Sequence, residues 1–357
     1  MARAERAAVD PAWAPPPRDG VGASRVAVGG GPWPCVLSFL QTRFAAVDDW
    51  PLRLAHGDVL DASGRTLAAD SVCVPGMRLW YWRRPPLEPR VPFEINLLHQ
   101  DEHLVVVDKP HFLPVIPGGR YLQETVLVRL KRQLGISTLA PMHRLDRDTA
   151  GVLLFTVQPA TRHAYQSLLR DRLVHKVYEA VAPWRADLVL PFTCRSRLEQ
   201  RPGVAFMQMQ MVPGEPNAET LIELIGLIGL MGQISPPLLP GADSPPRSGP
   251  PGPPPSPLAL YRLTPRTGRK HQLRAQLSAL GLAIVGDRIY PRLWPEPAAD
   301  AAPDYTQPLQ LLAREMAFAD PLSGEPRRFT SRRQLLWATC PLAPSSARPC
   351  SAPRPSA

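Results

Sequence analysis

Cysteine is scarce and scattered. The five in 357 residues are Cys35, Cys73, Cys194, Cys340 and Cys350, with no Cys-x-x-Cys pair and an odd count. That argues against a disulfide framework and against structural zinc, and fits a reducing compartment. Long hydrophobic runs are missing too. The most apolar segment, LIELIGLIGLMGQI at 221–234, carries Glu223 and is too short to span a bilayer. The opening MARAERAAVDPAWAPPPRDG lacks the apolar core of a signal peptide. A soluble cytoplasmic protein without membrane association is therefore expected. There is no metal-ligand cluster and no phosphate-cradling glycine loop, so neither a metal nor a cofactor is expected. Lysine is rare as well: Lys109, Lys131, Lys176 and Lys270 stand against 37 arginines.

What is abundant is proline and positive charge. The 41 Lys+Arg against 31 Asp+Glu give a net charge of +10, which points to a polyanionic partner. Arginine suits phosphate because its planar fork binds two oxygens at once. The 46 prolines are too many for one compact domain and are unevenly spread. Residues 1–34 and 341–357 are expected to be disordered tails, because neither composition can bury enough apolar surface to offset ordering. A third such stretch, residues 235–257, is flanked by strand-like runs and reads as a Pro-rich loop inserted between neighbouring strands.

Residues 35–84 read as a small unit. Val36, Phe39, Leu40 and Phe44 follow helical spacing. A short second helix then ends near Gly57, and a hairpin turns at Ser63-Gly64. The pattern resembles the small helix-turn-hairpin RNA-binding domain first known from a ribosomal small-subunit protein, although the second helix carries few basic residues. Residues 85–94 read as a linker.

From residue 95 to 340 the texture is that of one catalytic domain. HLVVVDKP is a strand stopped by Pro110, and VLLFTV (152–157) is another. ATRHAYQSLLRD reads as a helix with Ala164, Tyr165, Leu168 and Leu169 on one face. HKVYEAVA alternates, so Lys176, Tyr178 and Ala180 share a side. LALYRL alternates too. After the turn TPRTG, the helix RKHQLRAQLSALG has Leu273, Leu277 and Leu280 on one face, Gly281 as a cap, and a basic start of Arg269, Lys270, His271 and Arg274. Strands and helices do not alternate regularly. An α+β fold with a mixed, mostly antiparallel sheet, flanking helices and a central cleft is expected.

Three separated pieces carry chemistry. MHRLDRDTAGVLLFT (142–156) sets Arg144, Asp146, Arg147 and Asp148 at the mouth of a buried strand. HKVY offers a lysine and a tyrosine on one strand side. TPRTGRKHQLR offers a glycine turn and a basic helix start. Each alone has a plain alternative: a solvated turn, a half-buried sheet aromatic, a solvated helix face.

Together, over about 95–330, these segments and VVVDKP, GDRIY and LLAREMAFADPLSGEPRRF resemble the RluA-type pseudouridine synthases. The resemblance implies an RNA uridine isomerase of the pseudouridine synthase fold. In it Asp146 is the catalytic aspartate, Tyr178 stacks on the target uracil, and Arg274 pairs with the carboxylate. Arg144 matches an arginine that in relatives can fill the space left by a flipped nucleotide. Leu263 matches the apolar residue lining the uracil pocket. His143, Lys176, Arg269, Lys270 and His271 are further expected substrate contacts. The implied partner is a stem-loop of ribosomal or transfer RNA, ribosomal RNA being the more favoured, bound by a monomer.

The chemistry suits those residue types. Isomerisation breaks the C1′–N1 bond of uridine and joins C5 to C1′. A carboxylate serves either as nucleophile at C1′ or as base at the 2′ proton. A neighbouring guanidinium keeps it ionised as water leaves. The sequence departs from the usual pattern at Ala150, Lys270, Gln276 and Pro291, and lacks the glycine common after DKP. Two rivals remain. One is an RNA-binding protein of the same fold without catalysis, which predicts damage to the Asp146, Tyr178 and Arg274 set. The other is a glycoside or nucleoside hydrolase, which needs a second carboxylate. Asp148, two residues from Asp146, does not by itself provide the separation.

Overall fold

The computed structural model describes residues 13–83, 88–200, 208–228, 257–295 and 301–338. These divide into two compact units. One draws on Met1–Arg90 and Ile116–Ser137, the other on Val91–Val115 and Thr138–Ala357.

In the first unit, strands β1 (Ser24–Ala27), β2 (Val59–Leu60) and β3 (Arg78–Tyr81) form an antiparallel sheet in the order β1-β3-β2. Helix α1 (Val36–Arg43) buries Val36, Phe39 and Leu40, and the Ser38 hydroxyl closes its first turn on the Cys35 carbonyl at 2.9 Å. Helix α2 (Trp50–Ala55) is short, starts with Pro51 and buries Trp50 and Leu54. Its arginine, Arg53, is turned inward, donating to Asp49 at 2.6 Å and to the Trp82 carbonyl at 3.1 Å. At the expected hairpin, Asp61 accepts from Ser63 N at 2.8 Å and Arg65 N at 3.0 Å around Gly64.

The expected disordered tail is corrected here. Residues 24–27 pair with β3 in the register Ser24↔Tyr81 to Ala27↔Arg78, and Val28 is buried after them. The alternation of Val26 and Val28 with Arg25 and Ala27 was masked by the surrounding glycine and proline. Residues 1–12 and 341–357, expected as tails, lie outside the described residues.

A second departure from the sequence reading concerns 116–137, which belong to this unit rather than to the domain beginning at residue 95. The segment contains α3 (Val126–Leu134), capped by the Thr125 hydroxyl and ended by Gly135 at φ 69°. The Glu88 carboxylate accepts from Leu122 N, Gln123 N and Glu124 N at 2.6, 2.9 and 2.6 Å.

The second unit is built on one large sheet. Its strands are β4 (Asn96–Gln100), β5 (Leu104–Lys109), β6 (Ala140–Pro141), β7 (Ala150–Thr156), β8 (His175–Pro183), β9 (Phe192–Glu199), β10 (Gln210–Val212), β11 (Ala218–Ile228), β12 (Leu258–Pro265), β13 (Leu311–Ala319) and β14 (Pro326–Thr330). The order is β10-β9-β11-β12-β8-β13-β7-β5-β4, with β14 on β13 and β6 on β7. All pairs are antiparallel except β13 with β7. The fold is α+β with a mixed, mostly antiparallel sheet, as the texture of the chain indicated.

Every residue of β5 and β7 is buried, so both faces of the sheet centre are covered. Helix α4 (Arg162–Arg170) packs Tyr165 and Leu168 against Leu104, Val106, Leu154 and Met316. Helix α5 (Gln272–Ala279) packs Leu273 and Leu277 against Ala180, Ile222, Tyr261 and Leu263. Gly281 at φ 75° ends it. Gly151 sits at φ 113° where a Cβ would lie 2.2 Å from the Ala313 carbonyl oxygen. Only glycine allows β13 to cross β7 there, directly after the Asp146 turn. Of the Pro-rich loop expected at 235–257, all but Pro257 lies outside the described residues, but the strands on its two sides, β11 and β12, do pair, Ile228 facing Leu258.

Candidate active site

The turn before β7 is set from beneath by a lysine. Lys109, at the end of β5, is fully buried, and its ammonium donates to the carbonyls of Pro110, Leu113 and Arg147, each at 2.8 Å. Burial pushes its pKa down to about 7, against the pull of Asp148 and Asp146. Asp148 accepts from Arg147 Nε at 3.0 Å, and its backbone carbonyl pairs with His111 Nδ1 at 2.7 Å. The Asp148 carboxylate is thus paired with its neighbour Arg147. The Thr149 N–H closes the turn on the Asp146 carbonyl at 3.2 Å. The turn therefore presents the Asp146 side chain while its backbone is held.

The partner of Asp146 comes from α5. Arg274 Nη1 donates to Asp146 Oδ2 at 3.0 Å, and the two side chains are 2% and 29% exposed. The rest of the guanidinium grips Asp287, Nε at 2.8 Å and Nη2 at 2.7 Å. Asp287 Oδ1 also accepts from the backbone of Ile289 at 2.8 Å and Tyr290 at 3.0 Å. Burial opposes the Arg274 charge, but Asp287 and Asp146 outweigh it and hold its pKa above the usual arginine value. A fork fixed on one carboxylate thus offers its remaining nitrogen to another. The other oxygen of Asp146, Oδ1, faces His271 Nε2 at 3.7 Å.

Tyr178 and Lys176 reach the same cleft from alternate positions of β8. Burial and the Asp146 charge push the Tyr178 phenol well above its usual pKa, so it stays protonated. Lys176 Nζ donates to the Thr267 carbonyl at 3.1 Å, and burial lowers its pKa. The TPRTG turn is tied by Gln272, whose Oε1 accepts from the Thr267 hydroxyl at 2.7 Å and from Arg269 N at 3.1 Å. Arg144 and Arg269 complete the polar wall, and Pro265, Leu273 and Leu311 supply the apolar one.

Of the residues expected from the sequence, Asp146, Tyr178, Arg274, Arg144, Lys176, Arg269 and His271 meet in this cleft. Three do not. Leu263 is fully buried in the core, opposite Tyr178 in the β12–β8 register, and packs under α5 rather than on the cleft wall. His143 is turned into β7, where its Nε2 accepts from Leu154 N at 3.3 Å. Burial, with help from Lys176, lowers its pKa to about 3, which keeps it neutral. Lys270 is exposed off the cleft wall, because α5 begins only at Gln272 and leaves Arg269 and Lys270 on the preceding turn. The departure at Gln276 is structural: its amide is buried between the Thr220 hydroxyl at 2.7 Å and the Ser196 hydroxyl at 2.9 Å.

Sequence reasoning passed over Asp287, Tyr290 and Lys109. Asp287 and Tyr290 belong to GDRIY, and Lys109 to VVVDKP, segments that carry the resemblance without a role for these residues; the local signal at Lys109 is a charged Asp-Lys end on an apolar strand. Among the described residues no group of three or more His, Cys, Asp or Glu side chains is placed to hold a metal. No described helix is long and apolar enough to cross a membrane.

The sequence has counterparts among known proteins. A family model described as RNA pseudouridylate synthase matches residues 103–279. An uncharacterized RNA pseudouridine synthase of Synechocystis is 30% identical over 259 residues, covering 71% of this chain and 79% of that protein. The dual-specificity RNA pseudouridine synthase RluA of Haemophilus influenzae is 29% identical over 255 residues, or 70% of this chain and 95% of that one. The human pseudouridylate synthase RPUSD2 is 32% identical over 210 residues, 57% of this chain and 32% of that longer protein.

Proposed function

The chain belongs to the RluA-type RNA pseudouridine synthases, and on that premise we propose that it isomerises particular uridines in structured RNA, ribosomal RNA ahead of transfer RNA, using Asp146. What supports this reading is one relationship: Asp146 and Tyr178 line one cleft, and the buried Arg274 holds the carboxylate at 3.0 Å.

In the proposed reaction the C1′–N1 bond breaks and its electron pair leaves with the uracil. Asp146 either takes C1′ as nucleophile, the C1′–O bond to it breaking when C5 attacks, or removes the 2′ proton and returns it when C5 attacks. The uracil turns, C5 bonds to C1′, the C5 proton is released and N1 is protonated. Arg274 keeps Asp146 ionised as the closing cleft loses water. Tyr178 offers the detached base a flat stacking surface that permits in-plane rotation. Lys176 stands two residues away as a donor to the charge that develops on uracil.

Reaching C1′ requires extruding the nucleotide from its stack, at a cost of about a few kcal/mol. Single-stranded loops lower that cost, which favours a stem-loop target. Arg144 and Arg269 stand at the cleft to meet backbone phosphates. The first unit is a further RNA-holding element of the full protein, although its Arg53 faces inward.

The test is tritium release from RNA labelled at uridine C5. Ribosomal and transfer RNA from a strain lacking the protein are assayed as separate pools, since the Haemophilus relative is named dual-specificity. Release from the ribosomal pool is the expected result. Release from the transfer RNA pool alone would overturn the target, and free uracil as product would overturn the isomerisation.

A further inference from the structure

Tyr290 does not itself line the cleft, yet its hydroxyl ends a chain of contacts that begins at the Asp146 carboxylate. His271 stands between them. Its Nε2 faces Asp146 Oδ1 at 3.7 Å, and its Nδ1 lies 3.3 Å from the Tyr290 hydroxyl. The two rings meet edge to face, with centroids 5.8 Å apart. His271 is buried and sits at φ 52°, in the left-handed region, immediately before α5. Holding a non-glycine residue there costs about 1–3 kcal/mol and persists only where the surroundings enforce it. Tyr290 is itself fixed at both ends. Its backbone N–H donates to Asp287, and its hydroxyl accepts from Met209 N at 2.6 Å.

We propose that Tyr290 is a positioning residue that locks His271 in the tautomer carrying its proton on Nε2, so that the N–H faces Asp146 Oδ1 and favours one rotation of the carboxylate. This rests on the reading of Asp146 as the reacting carboxylate. The proton assignment follows from both ends of the ring. A carboxylate opposite Nε2 favours an N–H there over a lone pair. Nδ1 is then an acceptor. Because Met209 N already occupies one side of the Tyr290 oxygen, the phenolic proton turns either to Nδ1 or to the Met209 carbonyl, each at 3.3 Å, and we assign it to Nδ1.

A lowered pKa favours the neutral ring that this requires. Burial lowers the His271 pKa, Arg274 and Lys270 add to the lowering, and Asp146 and Asp287 oppose it. Asp146 then has the Arg274 hydrogen bond on Oδ2 at 3.0 Å and a polarised His271 N–H facing Oδ1 at 3.7 Å. The two contacts together favour one rotation of the carboxylate about its last bond.

The tautomer is read directly from full-length protein labelled with 15N-histidine, with the His271 signal identified among the eight histidines by its loss in His271→Gln. The expected spectrum at neutral pH shows a proton on Nε2 only, and Tyr290→Phe gives a mixture. An Nδ1-protonated or doubly protonated His271 in the wild type would overturn the proposal, whether or not the protein releases tritium. In single-turnover tritium release, Tyr290→Phe is expected to slow the step about five- to tenfold, the worth of one hydrogen bond, with RNA affinity unchanged. His271→Gln places an amide donor near Nε2 with no tautomer to fix. It is expected to retain more activity than His271→Ala, and adding Tyr290→Phe to it should cost nothing further. Equal losses from Tyr290→Phe in the wild-type and His271→Gln backgrounds would mean that Tyr290 acts by packing alone. Absent tritium release from the wild type would count against the uridine isomerase reading and leave the tautomer to decide this one.

Discussion

Arg274 joins two aspartates. It gives two nitrogens to the buried Asp287, at 2.8 and 2.7 Å, and one to the half-buried Asp146, at 3.0 Å. The two carboxylates therefore have different work. Asp287 fixes the guanidinium, and Asp146 receives what the fixed guanidinium leaves over. Asp287→Ala strands a buried charge, and breaking such a pair costs about 3–5 kcal/mol. Urea denaturation should show that loss, and isomerisation should fall in protein that remains folded. A variant with unchanged stability would mean that Arg274 is held by other means.

Much of this arrangement was legible because the relevant spacings are local. Lys176 and Tyr178 share a side of β8 by the period of two, and Arg274 lies one turn from His271 in sequence. The rest depends on partners distant along the chain. Nothing local reveals that Arg274 meets Asp287, that Lys109 reaches the Arg147 carbonyl, or that His143 turns to Leu154. Leu263 was misplaced because strand alternation names two sides without saying which is the core. β1 was missed because four alternating residues were outweighed by the composition around them.

A second prediction concerns acid. Folding lowers the pKa of His143 to about 3 and that of His111 to about 4, both first through burial. The unfolded chain titrates them near pH 6.5. Between those limits the unfolded state binds more protons, so stability is intact above pH 6.5 and falls as pH drops toward 4. His143→Gln keeps an acceptor for Leu154 N without the titration. Its urea midpoint should decline less than that of the wild type between pH 7 and 4, and parallel curves would contradict the assignment.

Stacking at Tyr178 makes a third. Removing an aromatic under a base costs about 1–3 kcal/mol, so Tyr178→Ala should slow isomerisation by roughly five- to 150-fold. The Tyr178 hydroxyl stays protonated at neutral pH because burial and Asp146 raise its pKa. Tyr178→Phe should therefore remain within about tenfold of the wild type, on the scale of one hydrogen bond. A phenylalanine variant as slow as the alanine one would assign the hydroxyl a chemical role.

Salt dependence makes a fourth. Arg144 is exposed at the cleft. If it meets one phosphate, Arg144→Gln should reduce the slope of log affinity against log salt by about 0.7–0.9. Filter binding across a salt series reads this directly. An unchanged slope would remove Arg144 from the phosphate contacts.

The most direct measurement is single-turnover tritium release by Asp146→Asn, made beside RNA binding on the same preparation. Asparagine keeps the size of the side chain and removes the charge that Arg274 holds. The account predicts RNA binding like that of the wild type and no release. Release at the wild-type rate would contradict it, because the chemistry would then belong to another group.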